Sequence, residues 1–308
     1  MEGRGVMCMN REDIEVSASA VCGLDGTIVG ATEGLSGELR VPVKRHNIKS
    51  PGFRLTERDY DIFGFLLDQK FASIETLYFR FFDARANSSD PMPENLYVAR
   101  QRLGILKRAG LISSERVYSD PKSLFLLTPL GYHQFKMKRD EDAYAPPVTS
   151  VDFRNYEHDQ ALNYCRVALE RQGKSMRWFS ERRLRMHGFQ IPEIRFELPD
   201  SIVPDAIFIS SKGNRIAFEI EYTHRKKSRY QWKIDQYETV MGGANPLLHG
   251  VLFVGGTDRV YRDLKEVLPQ RSKFVLESYA HFLGRLFPSN LATKVHKQLE
   301  PHQDVGLA

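Results

Sequence analysis

Between Val203 and Tyr237 the chain reads VPDAIFISSKGNRIAFEIEYTHRKKSRYQWKIDQY, and no other stretch limits its folding as tightly. Two apolar runs of strand length flank Ser211–Asn214, so a hairpin is expected there. The strand period of two puts Glu219 and Glu221 on one face and Phe218, Ile220 and Tyr222 on the other. Pairing through that turn brings Asp205, at the start of the first strand, toward Glu219. Three carboxylates at one sheet edge are oxygen donors of the kind that hold Mg²⁺ or Mn²⁺, which can activate water and offset phosphate charge. A lysine beside them would orient a nucleophile, and Lys233, on the helix expected to follow, is the candidate. Arg225, Lys226, Lys227 and Arg229 read as phosphate contacts that hold the scissile strand, with Tyr230 or Trp232 able to stack on an unpaired base. Tyr222, Tyr230 and Tyr237 are also near enough for a covalent role, although tyrosines on such elements more often pack.

Upstream, Thr56 and Ser73 read as N-caps. Behind them Tyr60, Phe63, Phe65, Leu66 and Leu67, then Ile74, Leu77, Tyr78, Phe81 and Phe82, recur at helical spacing. A third helix is expected over 94–109, ended by Gly110, with Leu96, Val98, Leu103, Ile105 and Leu106 as its apolar stripe. Two short strands around Ser119-Asp120-Pro121 then form a hairpin. Three helices and a hairpin are the layout of a winged helix-turn-helix, which presents its third helix to the major groove and its wing to the backbone. "RLGILKRAGLI" and "SLFLLTPLGYHQF" resemble how that family ends its recognition helix and wing. On that third helix Tyr97, Arg100, Gln101, Arg102, Lys107 and Arg108 are the candidate DNA contacts, with Arg116 and Lys122 on the wing.

The expected organisation is a weakly structured arm over 1–50, the helix-turn-helix over 51–138, and a charged, Pro-containing linker over 139–152. An α/β domain follows over 153–287, then a loose tail over 288–308. In the α/β domain a helix over 156–172 precedes strands over 176–179, 189–196, 204–210, 215–222, 248–254 and 274–276, with helices over 229–241 and 260–268. The net charge of +5 is mild support for a polyanionic partner. Cys8, Cys22 and Cys165 are odd in number and scattered, so neither zinc nor a disulfide framework is expected, and a reducing, cytoplasmic setting fits. No apolar run is long enough to span a membrane, so no membrane insertion is expected.

The carboxylate region resembles the PD-(D/E)xK nuclease superfamily. Asp205 matches the aspartate of its second motif and Glu219 the acidic residue of its third, while Glu221 stands where the lysine belongs. Some branches carry that lysine on the next helix, and Lys233 fits such a migration. More closely, the order "HDQALNYCRVAL", "WFSERRLR", "PDAIF", "FEIEYTHRKKSRYQWKIDQY" behind a winged helix resembles the replication-relaxation proteins of plasmids and the MobC-type conjugative relaxases. That resemblance implies metal-dependent strand nicking at a transfer origin, with relaxosome proteins and a coupling protein as further partners. It also draws attention to His158, Asn163 and Glu181. Without it, His158 is a helix-surface histidine and Glu181 a salt-bridge partner of the adjacent arginines. Two other readings compete. One is a non-enzymatic relaxosome accessory, replication or transcription-regulating protein on an inactive nuclease fold, consistent with Glu221 in the lysine position. The other is a defence or transposition nuclease on the same core. No His-x-His, HExxH, P-loop or GxSxG occurs.

Overall fold

The computed structural model describes residues 53–83, 96–117, 120–139, 144–187, 191, 194, 202–242, 246–269 and 273–286. The expected arm and tail lie outside them. Within these residues the protein is mixed α+β with two sheets, and no described helix is long and apolar enough to cross a membrane.

The first part is built from α1 (Glu57–Gln69), α2 (Ile74–Phe81) and α3 (Tyr97–Arg108), with β1 (Ala72–Ser73), β2 (Ile112–Val117) and β3 (Asp120–Leu127). Thr56 begins α1 with a capping box shared with Asp59, and the Ser73 hydroxyl accepts from the Thr76 amide at the start of α2. β2 and β3 form the expected antiparallel hairpin, and β1, which the periodicity does not reveal, adds to the far side of β3. On α3 the buried stripe is Ala99, Leu103 and Leu106, spaced four and three apart, so Val98 is turned outward at 59 % exposure. That corrects its place in the expected stripe. The Leu127-Thr128-Pro129-Leu130-Gly131 sequence opens α4 (Pro129–Arg139). The Thr128 hydroxyl accepts from the Gly131 amide and donates to the Leu111 carbonyl. A Cβ at Gly131 would lie 2.1 Å from that carbonyl oxygen, so only glycine lets the turn close on the strand.

The second part begins with α5 (Tyr156–Arg171), β4 (Ser175–Ser180) and α6 (Glu181–His187). It continues through β5 (Ala206–Ser210), β6 (Arg215–Glu221), α7 (Lys227–Val240), β7 (Gly250–Gly255), α8 (Asp258–Val267), β8 (Phe274–Ser278) and α9 (Tyr279–Leu286). The sheet order is β4-β5-β6-β7-β8, antiparallel as far as β6 and parallel from β6 to β8. Helices α6 and α9 were not expected. The expected strand over 189–196 lies outside the described residues except for Ile191 and Ile194, both buried and joined by a turn hydrogen bond. Alternation along the strands splits the core. Phe208, Phe218 and Ile220 pack with α5 and α9, while Ile207, Ala217 and Phe253 pack with α7 and α8.

The first of these clusters runs without a break from Ile62 and Leu103 in the helical part to Phe218 and Leu283 in the second. The expected linker is packed where it is described: Tyr144 stands edge-on to Phe135, and Ala145 and Val151 are buried.

Candidate active site

The β5–β6 register pairs Ala206 with Phe218, which sets Asp205 opposite Glu219 at the carboxyl end of β6. On β6 the odd-numbered side chains face α7. That helix answers with Lys233 and Tyr237, four residues apart on one face. The Lys233 ammonium donates to Glu219 Oε2 and to Glu221 Oε1, both at 2.7 Å. The Tyr237 hydroxyl donates to the other Glu219 oxygen. Asp205 Oδ2 accepts from the Ile220 amide at 2.8 Å and lies 3.3 Å from His158 Nε2. The other ring nitrogen of His158 lies 3.4 Å from Asp159. The Glu181 amide donates to the Asp205 carbonyl, which fixes the approach to β5. Beside Glu221, the Gly256 amide donates to its carbonyl, and a Cβ at Gly256 would meet the Tyr222 ring at 2.5 Å.

Charge is unevenly matched in this cluster. Burial works against ionisation of Asp205, but His158 and then Lys233 outweigh it and hold its carboxyl below the usual range. Burial also disfavours the His158 imidazolium, yet Asp205 and Asp159 push its pKa up to about 10. For Lys233, too, burial opposes the charge and Glu219, Glu221 and Asp205 overcome it, keeping the ammonium. Glu219 is 1 % exposed. Burial, reinforced by the Asp205 charge and only partly relieved by Lys233, raises its pKa to about 8, so its ionised form is disfavoured near neutral pH.

Carboxylate oxygens are the donor type that a hard divalent cation takes. Among the described residues no group of three or more His, Cys, Asp or Glu side chains is placed to hold a metal ion. Magnesium, however, is commonly held by one or two carboxylates with water and substrate phosphate completing its shell. The Asp205 charge raises the Glu219 pKa and Lys233 relieves that only in part, so a further positive charge between the carboxylates would be stabilised. Glu219 and Glu221 are both tied to Lys233, and of the two it is Glu221 that reaches the wall of the cleft beside Asp205.

A cleft of about 430 Å³ opens over Asp205 and Lys233, with Arg154, Arg225, Arg229 and Trp232 along its walls. Trp232 is 45 % exposed and available to stack. Tyr230 is not: it is 2 % exposed, and its hydroxyl accepts from the Arg225 amide and donates to the Thr223 carbonyl. Lys226 stands at the N-cap position of α7 with its side chain exposed, and Lys227 pairs with Glu266. Glu181 lines the cleft but holds Arg185 at 2.7 Å, the plain salt bridge its surroundings suggest. Asn163 is buried and donates to the Phe71 carbonyl, a structural tie. Of the three tyrosines considered as nucleophiles, Tyr237 is fully buried behind Glu219, and Tyr222 packs edge-on against Tyr279.

No family model, curated protein or solved structure matches this chain.

On α3, Tyr97, Arg100, Gln101, Lys107 and Arg108 are exposed, as is Arg116 on β2. The Tyr97 hydroxyl accepts from Gln101, and Lys107 donates to the Ser114 hydroxyl. Arg102 is different: it grips the buried Asp59 through Nε and Nη2 and donates to the Arg54 carbonyl, which removes it from the outward set. The Lys122 side chain lies outside the described residues. Sequence reasoning did not mark Lys70, Asp159 or Arg154. His158-Asp159 on an amphipathic helix start was the visible signal for the second, whereas Lys70 comes from 135 residues before Asp205 and had none.

Proposed function

We propose that this protein is a metal-dependent DNA endonuclease that nicks one strand, and that its helical part is a winged helix-turn-helix joined to a PD-(D/E)xK-like core. The observation that carries the reading is the Lys233 ammonium, delivered from α7 to the carboxylates at the end of β6. It supplies the cation that Glu221 displaces from the motif. Asp205, Glu219 and Glu221 would hold Mg²⁺ or Mn²⁺, which when bound lowers the pKa of water and offsets phosphate charge. Lys233 stays protonated, so it serves as a fixed positive charge toward the phosphate and not as a base. His158 keeps Asp205 ionised and aimed. Arg154, Arg225 and Arg229 hold the strand by its phosphates, and Trp232 stacks on a base. Exposed Arg100 and Arg108 on α3 suit major-groove contacts. The order of motifs along the chain favours action at a plasmid or mobile-element transfer origin, alongside relaxosome proteins and a coupling protein.

The test is conversion of supercoiled plasmid carrying the element's own DNA to open circles, with Mn²⁺, Mg²⁺ or EDTA. Metal-dependent nicking that Asp205→Ala and Glu219→Ala abolish, with DNA binding retained, is the expected result. Salt-sensitive binding without cleavage would instead favour a non-enzymatic DNA-binding protein, a reading that the sealing of Glu219 and Glu221 by Lys233 also fits. Cutting of both strands without an origin would favour a defence or transposition nuclease.

A further inference from the structure

The helical part and the sheet part meet along a buried polar seam at the end of α1. Arg166 on α5 reaches Asp68 at 3.1 Å, Ser180 donates to the same carboxylate, and Arg182 donates to the Leu67 carbonyl. The seam ends at Lys70. This is the one non-glycine residue with positive φ among the described residues, at φ 69° and ψ −52°. The Phe71 amide bonds to the Gln69 carbonyl at 2.8 Å across it, so Lys70 is the centre of a γ-turn of the rare, strained hand. Glycine or asparagine would sit there more easily. A lysine in that conformation is explained by where its side chain goes. Its ammonium lies 2.9 and 2.8 Å from the two oxygens of Asp159, at the wall of the cleft. Asp159 is followed by His158 and then Asp205, at 3.4 and 3.3 Å.

We propose that the candidate site is composite, with Lys70 a positioning residue that the helical part delivers to Asp159 to set the His158 ring against Asp205. The inference rests on the endonuclease reading for its consequence but not for its geometry. Without Lys70, Asp159 (6 % exposed along its side chain) loses the cation that fixes its carboxylate, and the Nδ1 side of the His158 ring loses the brace that holds Nε2 toward Asp205. Backbone strain kept at such a position is the usual mark of a side chain held for a task. It also follows that the second part alone would not build the site, because one of its charges belongs to the first.

Two readouts on the full chain test this. The first is the His158 imidazole N–H signals by nitrogen-correlated NMR, assigned by their loss in His158→Gln. Protected signals are expected in the wild type. They should be lost to solvent exchange in Lys70→Met and Asp159→Asn and retained in Lys70→Arg, measured well below the melting temperature of each variant because Lys70→Met leaves the Asp159 carboxylate without its cation. Signals unchanged in Lys70→Met, or unprotected in the wild type, would overturn the proposal. The second is nicking kinetics. The kcat of Lys70→Met should fall about 10–100-fold, as when an outer partner of a catalytic group is removed, with KM for DNA unchanged and Lys70→Arg recovering most of the loss. A rise in KM alone would make Lys70 a phosphate contact and overturn positioning. If the wild type cuts no DNA, the endonuclease reading fails by itself, and the NMR signals still decide the geometry.

Discussion

On α3, Arg100 points to solvent while Arg102 is drawn back onto Asp59. On α7, Arg229 faces the open cleft while Lys233, four residues on, is drawn between Glu219 and Glu221. Both helices are basic and both turn one cation inward. They differ in what that cation meets. Arg102 meets a single carboxylate that also caps α1, and the charges match: burial would raise the Asp59 pKa, but Arg102 and Thr56 hold it below its ordinary value. Lys233 meets two glutamates with Asp205 alongside. It cannot neutralise them all, and Glu219 is left with a raised pKa. A matched pair closes a structure. An unmatched cluster is left with an affinity for one more positive charge, which is the reason to place chemistry at α7 and architecture at Asp59.

The sharpest way to break this contrast is Lys233→Met. If Lys233 is a charge aimed at substrate, nicking should fall about 10²- to 10³-fold, in the range for losing one preorganised donor. DNA affinity in a filter or anisotropy assay should stay within twofold. Stability should fall as well, since Glu221 loses the cation that neutralises it, so activity is compared well below the melting temperature. Full nicking activity in this variant would move Lys233 into the structural class with Arg102.

The converse substitution, Arg102→Ala, should act on folding. It strands the buried carboxylate of Asp59, a change that costs about 2–3 kcal/mol, or a drop in Tm of about 4–12 °C for a unit of this size. Arg100→Ala, two residues away and exposed, should leave Tm alone and weaken duplex binding. Equal Tm values for the two variants would show that Arg102 is as dispensable to the fold as an outward residue.

These contrasts also explain which parts of the fold are legible in the sequence. The carboxylate strand was legible because alternation along β6 is strict, so Glu219 and Glu221 had to share a face. Lys233 was legible because a lysine on the helix after β6 has only a turn's rotation to spare. Thr56, Ser73 and the β2–β3 hairpin were legible from capping and turn chemistry. Arg102 and Tyr230 were misplaced because one helical step rotates a side chain by about 100°. Composition marks the helix as basic without saying which residues face Asp59 or the core. Lys70 was invisible for a different reason: its role depends on a strained turn and on α5 arriving from 89 residues further along the chain. Neither leaves a periodic trace.

The smallest effect separates the two sites by pH. The folded Asp59 carboxyl titrates below its unfolded value, with Arg102 the main cause opposing burial. A depressed carboxylate contributes stability above its unfolded pKa of about 4, and that contribution is lost as pH falls through the folded value. Other paired carboxylates, Glu170 among them, act in the same direction, so the wild-type curve alone does not isolate Asp59. The difference between wild type and Arg102→Ala does. Urea unfolding at pH 7, 4 and 3 should show a gap that is constant near neutrality and narrows below pH 4, by at most about 1.4 kcal/mol per pH unit for one proton. Parallel curves down to pH 3 would mean that Asp59 gains nothing electrostatic from Arg102. The inward turn of that arginine would then be a matter of packing over the Phe53 ring, which its guanidinium also covers at 5.0 Å.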